Sequence, residues 1–466
     1  MRRVIPVLIP LVVVCACSST DSGTIQLTTC GETDTFSQSP QPTKLVVSVV
    51  DQNGDPPTQL ASVSLPTDSI DLGNQSETAA GTIVVEATDS NANELVYGQS
   101  LALEYGALAN STLSVFVQRT NQWARLCNPP SDTRSAPTLA IFSGEFLFVG
   151  GGSDPTLAQT TQLYDFAALA PLSAPPGLPR VPMSMPVSGT VALLIDTQGA
   201  TYYDFSQDAQ TTDVTAPMGN GFTFADVAGG EVVYELDTSG NVTMVFVVGA
   251  TRTTGGPTKA VLQINPNDTS NSSYVTGNLS WATLTDYRLG ATATWVPGRG
   301  LVITGGSATA GGVEVIPPST NGTVNGTVLV TTPDPSMGAG AVGLYNDTQD
   351  LLVVGGITPT GQDAGIRKIN LGDPTAAPTS WGSLPIPLTS ATAFSFASGG
   401  QYQAVVVGNE LASGLTHAYL LNSTGAKEVP TKVPHINARA IQSPIDSIVI
   451  VGGSPGGEIE SFYPTL

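Results

Sequence analysis

The sequence predicts an all-β chain built from a repeated sheet unit, and three observations carry that reading. Past the first twenty residues no stretch keeps a helical period, whereas short runs rich in Val, Ile, Thr and aromatic residues recur throughout. An apolar run ending in a glycine pair returns four times. It reads Phe146-Leu147-Phe148-Val149-Gly150-Gly151-Gly152, Leu301-Val302-Ile303-Thr304-Gly305-Gly306, Leu351-Leu352-Val353-Val354-Gly355-Gly356, and Ile448-Val449-Ile450-Val451-Gly452-Gly453. Three of the four tryptophans, Trp123, Trp281 and Trp381, stand in a Trp-x-x-Leu frame. Self-similarity at a fixed period of this length is the mark of a repeat architecture.

The chain opens with a targeting pattern. Arg2 and Arg3 precede the apolar run Val4 to Val14, which is too short to span a bilayer. Ala16-Cys17-Ser18 follows, and the small residues before the cysteine resemble the bacterial lipoprotein signal. That resemblance implies cleavage after residue 16, diacylation of Cys17, and export to the outer membrane, since Ser18 rather than an aspartate follows. An ordinary secretory leader with an incidental Cys17 is the alternative. Residues 17–42 are rich in Ser, Thr, Gln, Pro and Gly and are expected to form a flexible tether. Once Cys15 is cleaved off and Cys17 acylated, Cys30 and Cys127 remain in a disulfide-permissive compartment. Bridging them would close a long loop, worth about 4–5 kcal/mol in the chain-entropy model.

From Lys44 the runs Lys44–Val50, Leu60–Leu65, Thr82–Thr88, Glu94–Leu103 and Leu113–Gln118 alternate with Asn, Asp, Gly and Pro. Five short strands in so small a span predict an antiparallel sandwich over 43–111. The rest, 112–466, carries the repeat. Its turns fall at Gly151, Asp196, Gly249, Gly305, Gly355, Gly408 and Gly452, so the second, third and sixth units lack the glycine pair. An aromatic strand follows many turns, as in Gln162-Leu163-Tyr164-Asp165-Phe166 and His417-Ala418-Tyr419-Leu420. Arg134 lies seventeen residues before Gly151, Arg288 seventeen before Gly305, and Arg439 stands ahead of Gly452.

These elements together resemble the kelch family of β-propellers: the strand ending in Gly-Gly, the aromatic strand after it, and the tryptophan strand that closes the unit. The resemblance implies a kelch-like propeller of seven blades, alternatively six. The physics agrees, because a ring of sheets buries both faces of each one and protects its edges. The small-residue runs Gly290–Thr294, Gly338–Gly343 and Ser390–Ala393 suit innermost strands around a channel. Closure is expected to use Leu113–Leu126 beside strands within 437–463.

The chemistry is sparse. Lys and Arg number 16 against 37 Asp and Glu, a net charge of −21, which argues against nucleic-acid binding. His417 and His435 are the only histidines and lie on different units. Kelch-fold copper oxidases hold their metal through histidines and tyrosines, so neither metal nor other cofactor is expected here. Asp51, Asn53 and Asp55 imitate half a calcium loop but lack the closing glutamate. Asp204, Asp208, Asp213 and Asp226 would serve a glycosidase only by converging at the channel. Asn-x-Ser/Thr triplets such as Asn241 and Asn422 reflect polar loops.

The expectation is a lipid-anchored envelope protein whose propeller is a non-enzymatic scaffold for a protein or glycan, with a carbohydrate-active enzyme and a purely structural role as rivals. Metabolic labelling with a fatty-acid analogue is expected to mark the parent and to vanish in Cys17→Ala; retained label would place the acyl group elsewhere.

Overall fold

The computed structural model describes residues 23–465 except 52–55, 68, 73–79, 105–107, 109–110, 174–176, 206–209, 238–240, 250–255, 267–278, 307–311, 319–326, 331–339, 344–349, 359–360, 374 and 397–401. Cys17 and the Asp51–Asp55 turn, save Asp51 itself, lie outside the described residues. Among the described residues there is no α-helix, only short 3-10 turns such as Phe224–Asp226 between strands.

Two sheets form the N-terminal unit. One holds Ser69–Asp71, Thr24–Thr28 and Thr112–Phe116. The other holds Thr58–Ser64, Lys44–Asp51, Ala80–Thr88, Glu94–Glu104 and Gln118–Arg119 in that order. Period-two alternation explains their packing: Leu45, Val47 and Val49 point to one side of their strand and meet Ile25, Ile70 and Val115 from the facing sheet.

The structure corrects the expected tether at 24–28 and the expected start of the repeat at 112. Thr24–Thr28 is a strand, parallel to Thr112–Phe116 and antiparallel to Ser69–Asp71. Its composition is polar, yet Ile25 is fully buried, and the backbone finds partners far along the chain. Thr112–Phe116 and Gln118–Arg119 belong to the N-terminal sheets and not to the repeat.

Seven four-stranded antiparallel sheets follow among the described residues. Their first strands are Pro137–Phe142, Val187–Ser188, Glu231–Leu236, Thr292–Val296, Gly340–Gly343, Leu388–Ser395 and Arg439–Gln442. In six of them the four strands are consecutive in sequence. The seventh runs Arg439–Gln442, Ile448–Val451, Ile459–Phe462 and then Trp123–Arg125, taken from the other end of the chain. The expected closing segment Leu113–Leu126 thus narrows to its last few residues.

Packing between sheets follows from the same alternation. In Phe146–Gly151, Phe148 joins Ala192, Leu194 and Tyr203 of the second sheet. Its neighbours Leu147 and Val149 join Val449, Val451 and Ile459 of the seventh. Val406 packs toward the fifth sheet, whereas Val405 and Val407 pack toward the seventh. Each such side chain contributes about 1.5–3 kcal/mol when buried. The second, third and sixth units form full sheets despite their missing glycine pairs. In the second, Asp196 Oδ1 accepts the amides of Gln198 (2.7 Å) and Gly199 (2.9 Å), an Asx turn doing the work of glycines.

The N-terminal unit rests on the seam between first and seventh sheets. Tyr97 packs against Tyr463 with ring centroids 4.9 Å apart and the rings tilted by 59°, and Gln99 Nε2 donates to Asp446 Oδ2 at 3.1 Å. Glu32 accepts from Arg125 Nε at 2.9 Å on the closing strand. Cys30 and Cys127 form a disulfide across 97 residues, their Cα atoms 4.6 Å apart. Replacing both by serine is expected to lower the unfolding free energy by about 4 kcal/mol, seen as a reduced urea midpoint. An unchanged midpoint would mean that strand pairing alone secures the seam.

Candidate functional site

The most developed polar chemistry of the repeat sits at the glycine turns. All eight glycines of the four predicted pairs, Gly151, Gly152, Gly305, Gly306, Gly355, Gly356, Gly452 and Gly453, have positive φ. At Gly306 a Cβ would also lie 2.8 Å from the Ala291 amide nitrogen, and at Gly453 it would collide with the Ile436 carbonyl. The pairs therefore turn the chain and admit the preceding segment at close range.

A buried cation fastens that segment to the turn. Arg288 Nη1 donates to Gly305 O (2.6 Å), Nη2 to Gly312 O (2.7 Å), and Nε to Glu314 Oε1 (3.0 Å). Glu314 in turn accepts the amides of Thr285 (2.6 Å) and Asp286 (3.2 Å). Arg288 and Glu314 are both fully buried. Arg134 does the same for the first sheet, donating to Gly151 O (3.0 Å), Thr160 O (3.0 Å) and Asp132 Oδ2 (2.7 Å).

In the seventh sheet the grouping of Arg439 with Arg134 and Arg288 is corrected. His435, seventeen residues before Gly452, takes the position: Nδ1 lies 2.8 Å from Gly452 O and Nε2 3.3 Å from Glu460 Oε1. Glu460 accepts the amides of Lys432 and Val433, each at 2.8 Å, as Glu314 accepts those of Thr285 and Asp286. Both ring nitrogens face oxygens, as the guanidinium nitrogens of Arg288 do. The signal was present in the sequence: counting seventeen back from Gly452 lands on His435, and Glu460 like Glu314 is the second residue of a third strand.

Other sheets vary the device. Arg180 reaches Asp196 Oδ1 (2.8 Å) and Thr201 Oγ1 (2.7 Å) in the second. In the fifth, Arg367 comes from the third strand, pairs with Asp363, and donates to Gly355 O at 3.2 Å. The sixth has Thr416 Oγ1 on Asn409 Oδ1 at 2.7 Å, and Asn409 Nδ2 on Ala438 O at 3.1 Å.

The three tryptophans of the Trp-x-x-Leu frames lie in the fourth strands of their sheets. Trp123 packs on Phe462 with centroids 5.1 Å apart, Trp281 Nε1 donates to Pro217 O at 3.0 Å, and Trp381 packs with Tyr419 and Leu421. Leu126, Leu284 and Leu384, three residues on in each frame, are buried.

The acids of the second and third units take local partners. Asp204 accepts from Thr190 Oγ1 (3.1 Å), and Asp226 caps Thr223 (2.8 Å). Bonds from Thr201 and Arg180 hold the Asp213 carboxyl below its ordinary range. Asp208 lies outside the described residues. No group of three or more His, Cys, Asp and Glu able to hold a metal occurs among the described residues. His417 Nδ1 is spent on Glu428 at 2.8 Å. Glu231, first residue of its inner strand, accepts Ala293 N (2.8 Å) and Thr292 Oγ1 (2.9 Å) from the neighbouring sheet. Burial pushes its carboxyl up to about 7 against those two bonds.

His435→Ala would leave Glu460 buried without its partner, at an expected cost of about 3–5 kcal/mol in urea unfolding. His435→Arg rebuilds the form seen in the first and fourth sheets and is expected to lose only about 1–3 kcal/mol, from the larger side chain. Equal midpoints for parent and alanine variant would strip the bonded pair of any stabilising role.

No family model and no curated protein matches this sequence. Among solved structures, a chain of "Crystal Structure of Mitotic Checkpoint Complex" is similar, with a TM-score of 0.48 and 13% identity over 74% of this chain and 93% of that one. A likeness of that size says nothing about partners or chemistry here, and the propeller architecture stands on the strand pairing itself.

Proposed function

We propose that the chain is an exported, lipid-anchored envelope protein whose kelch-like propeller is a non-enzymatic scaffold for a protein or glycan ligand. The anchor would be Cys17, after removal of 1–16. Seven blades closed by Trp123–Arg125 would present the scaffold. Two observations support that closure, the strand pairing and the shared cluster around Leu147 and Val449, while the disulfide holds Cys127, next to the closing strand, to the N-terminal unit.

One observation carries the scaffold reading. The fully buried ionic side chains at the turns are already bonded into the framework: Arg134, Arg288, His435, Glu314 and Glu460 hold the turns together. A group locked into two or three structural bonds is poorly placed to exchange protons with a substrate. Rigid sheets that carry polar connecting loops are suited to recognition instead.

The test uses the soluble chain starting at Ser18, offered to fractionated envelope proteins and to an array of glycans, with products monitored. Retention of a ligand without conversion is the expected result. Conversion of a glycan would overturn the non-enzymatic reading, and failure to retain any ligand would favour an architectural role.

A further inference from the structure

Arg439 differs from every other described arginine. Arg119, Arg125, Arg134, Arg180, Arg288 and Arg367 each make a side-chain hydrogen bond or ion pair, and Arg299 has a partner as well. The Arg439 side chain has neither among the described residues, in a chain with 37 acidic side chains. It is half-buried, and that burial alone holds its guanidinium below the ordinary value. None of its nitrogens is sealed away from solvent without a partner, so the guanidinium is open to an approaching anion.

Its place in the fold gives that opening a meaning. Arg439 opens the first strand of the seventh sheet, and that strand lies against the first strands of the sixth and first sheets. It pairs with Val451, the residue before the turn glycine. Thr138, Glu231 and Thr292 hold the same register in the first, third and fourth sheets, opposite Gly150, Val248 and Thr304. Those positions tie one sheet to the next: Thr138 Oγ1 donates to Pro182 O at 2.9 Å, and Thr292 Oγ1 to Glu231 at 2.9 Å. Ser184, opposite Ile195 in the second sheet, donates to Gly230 O at 2.9 Å. Arg439 makes no such link, although by strand alternation it shares the face of Ile441, which packs against the same cluster as Leu139 and Ile141 of the first sheet.

We propose that Arg439 is an anion-recognition residue of the inner strands, and that it takes the carboxylate of a ligand entering there. A planar guanidinium matches a carboxylate bidentately. A single positive charge within so acidic a chain suits a monoanion better than a phosphate dianion. The carboxylate can come from an acidic sugar or from an acidic amino acid, and the probes below separate the two. This deepens the scaffold reading and rests on it, since it names the ligand chemistry of the same propeller.

The experiment is calorimetric titration of the chain starting at Ser18 with D-glucuronate and with N-acetyl-aspartate, against glucose and N-acetyl-asparagine as neutral controls. One carboxylate probe, and neither control, is expected to bind the parent. Arg439→Gln should weaken that binding about tenfold or more, as loss of a charge-assisted bond does. Arg439→Lys, which keeps the charge but not the fork, should fall between. Equal binding by parent and Arg439→Gln, or no response of the parent to either carboxylate, overturns the proposal. The wider scaffold reading would survive either result if a ligand is still retained in the envelope and glycan screen. If Arg439→Gln does not fold, the Arg439 Nε–Hε resonance of the parent serves instead: movement with the carboxylate supports the proposal, and stillness overturns it.

Discussion

Each four-stranded sheet of the repeat has two apolar faces, and that constraint governs the rest of the molecule. Leu147 and Val149 look one way from their strand and Phe148 the other, so one neighbour can cover only half of what must be buried. An open row of such sheets would leave one apolar face exposed at each end. The chain meets the problem by sending Trp123–Arg125 to pair with Ile459–Phe462, which joins the ends in one sheet and one cluster. The disulfide and the Glu32–Arg125 pair then fall where opening would begin.

Apolar packing sets which faces meet but leaves the turns near the axis to polar groups. There the backbone makes tight corners, and carbonyls such as Gly305 O and Gly452 O are turned inward. A fully buried arginine or histidine answers each of them, and a buried glutamate answers that side chain while also accepting two amides. The arrangement tolerates exchange of its parts. Arginine, histidine, or an arginine borrowed from another strand can occupy the role, provided that every buried donor and acceptor is matched.

Much of this was legible in the residues. The runs ending in Gly-Gly marked second strands, the Trp-x-x-Leu frames marked outermost ones, and the count of seventeen tied Arg134 and Arg288 to their glycines. Cys30 and Cys127 were paired by elimination. The failures share a cause. Thr24–Thr28 looks like a tether because its strand partners are Ser69–Asp71 and Thr112–Phe116, far outside any local window. His435 was passed over because its role depends on what surrounds it and not on its residue type, while nearby Arg439 carried the expected identity at the wrong spacing.

The sequence by itself determined the all-β class, the repeat and its turns, because alternation and positive-φ glycines are local properties written every few residues. Only the tertiary structure decided which strand completes the last sheet, which cation meets which carbonyl, and which arginine is left over. Those outcomes depend on burial and on contacts between residues hundreds of positions apart, such as Trp123 with Phe462. A guanidinium has the same formula whether it is pinned like Arg288 or unpaired like Arg439. Its surroundings alone distinguish the two, because the free energy of a buried charge is set by the groups the fold brings to it.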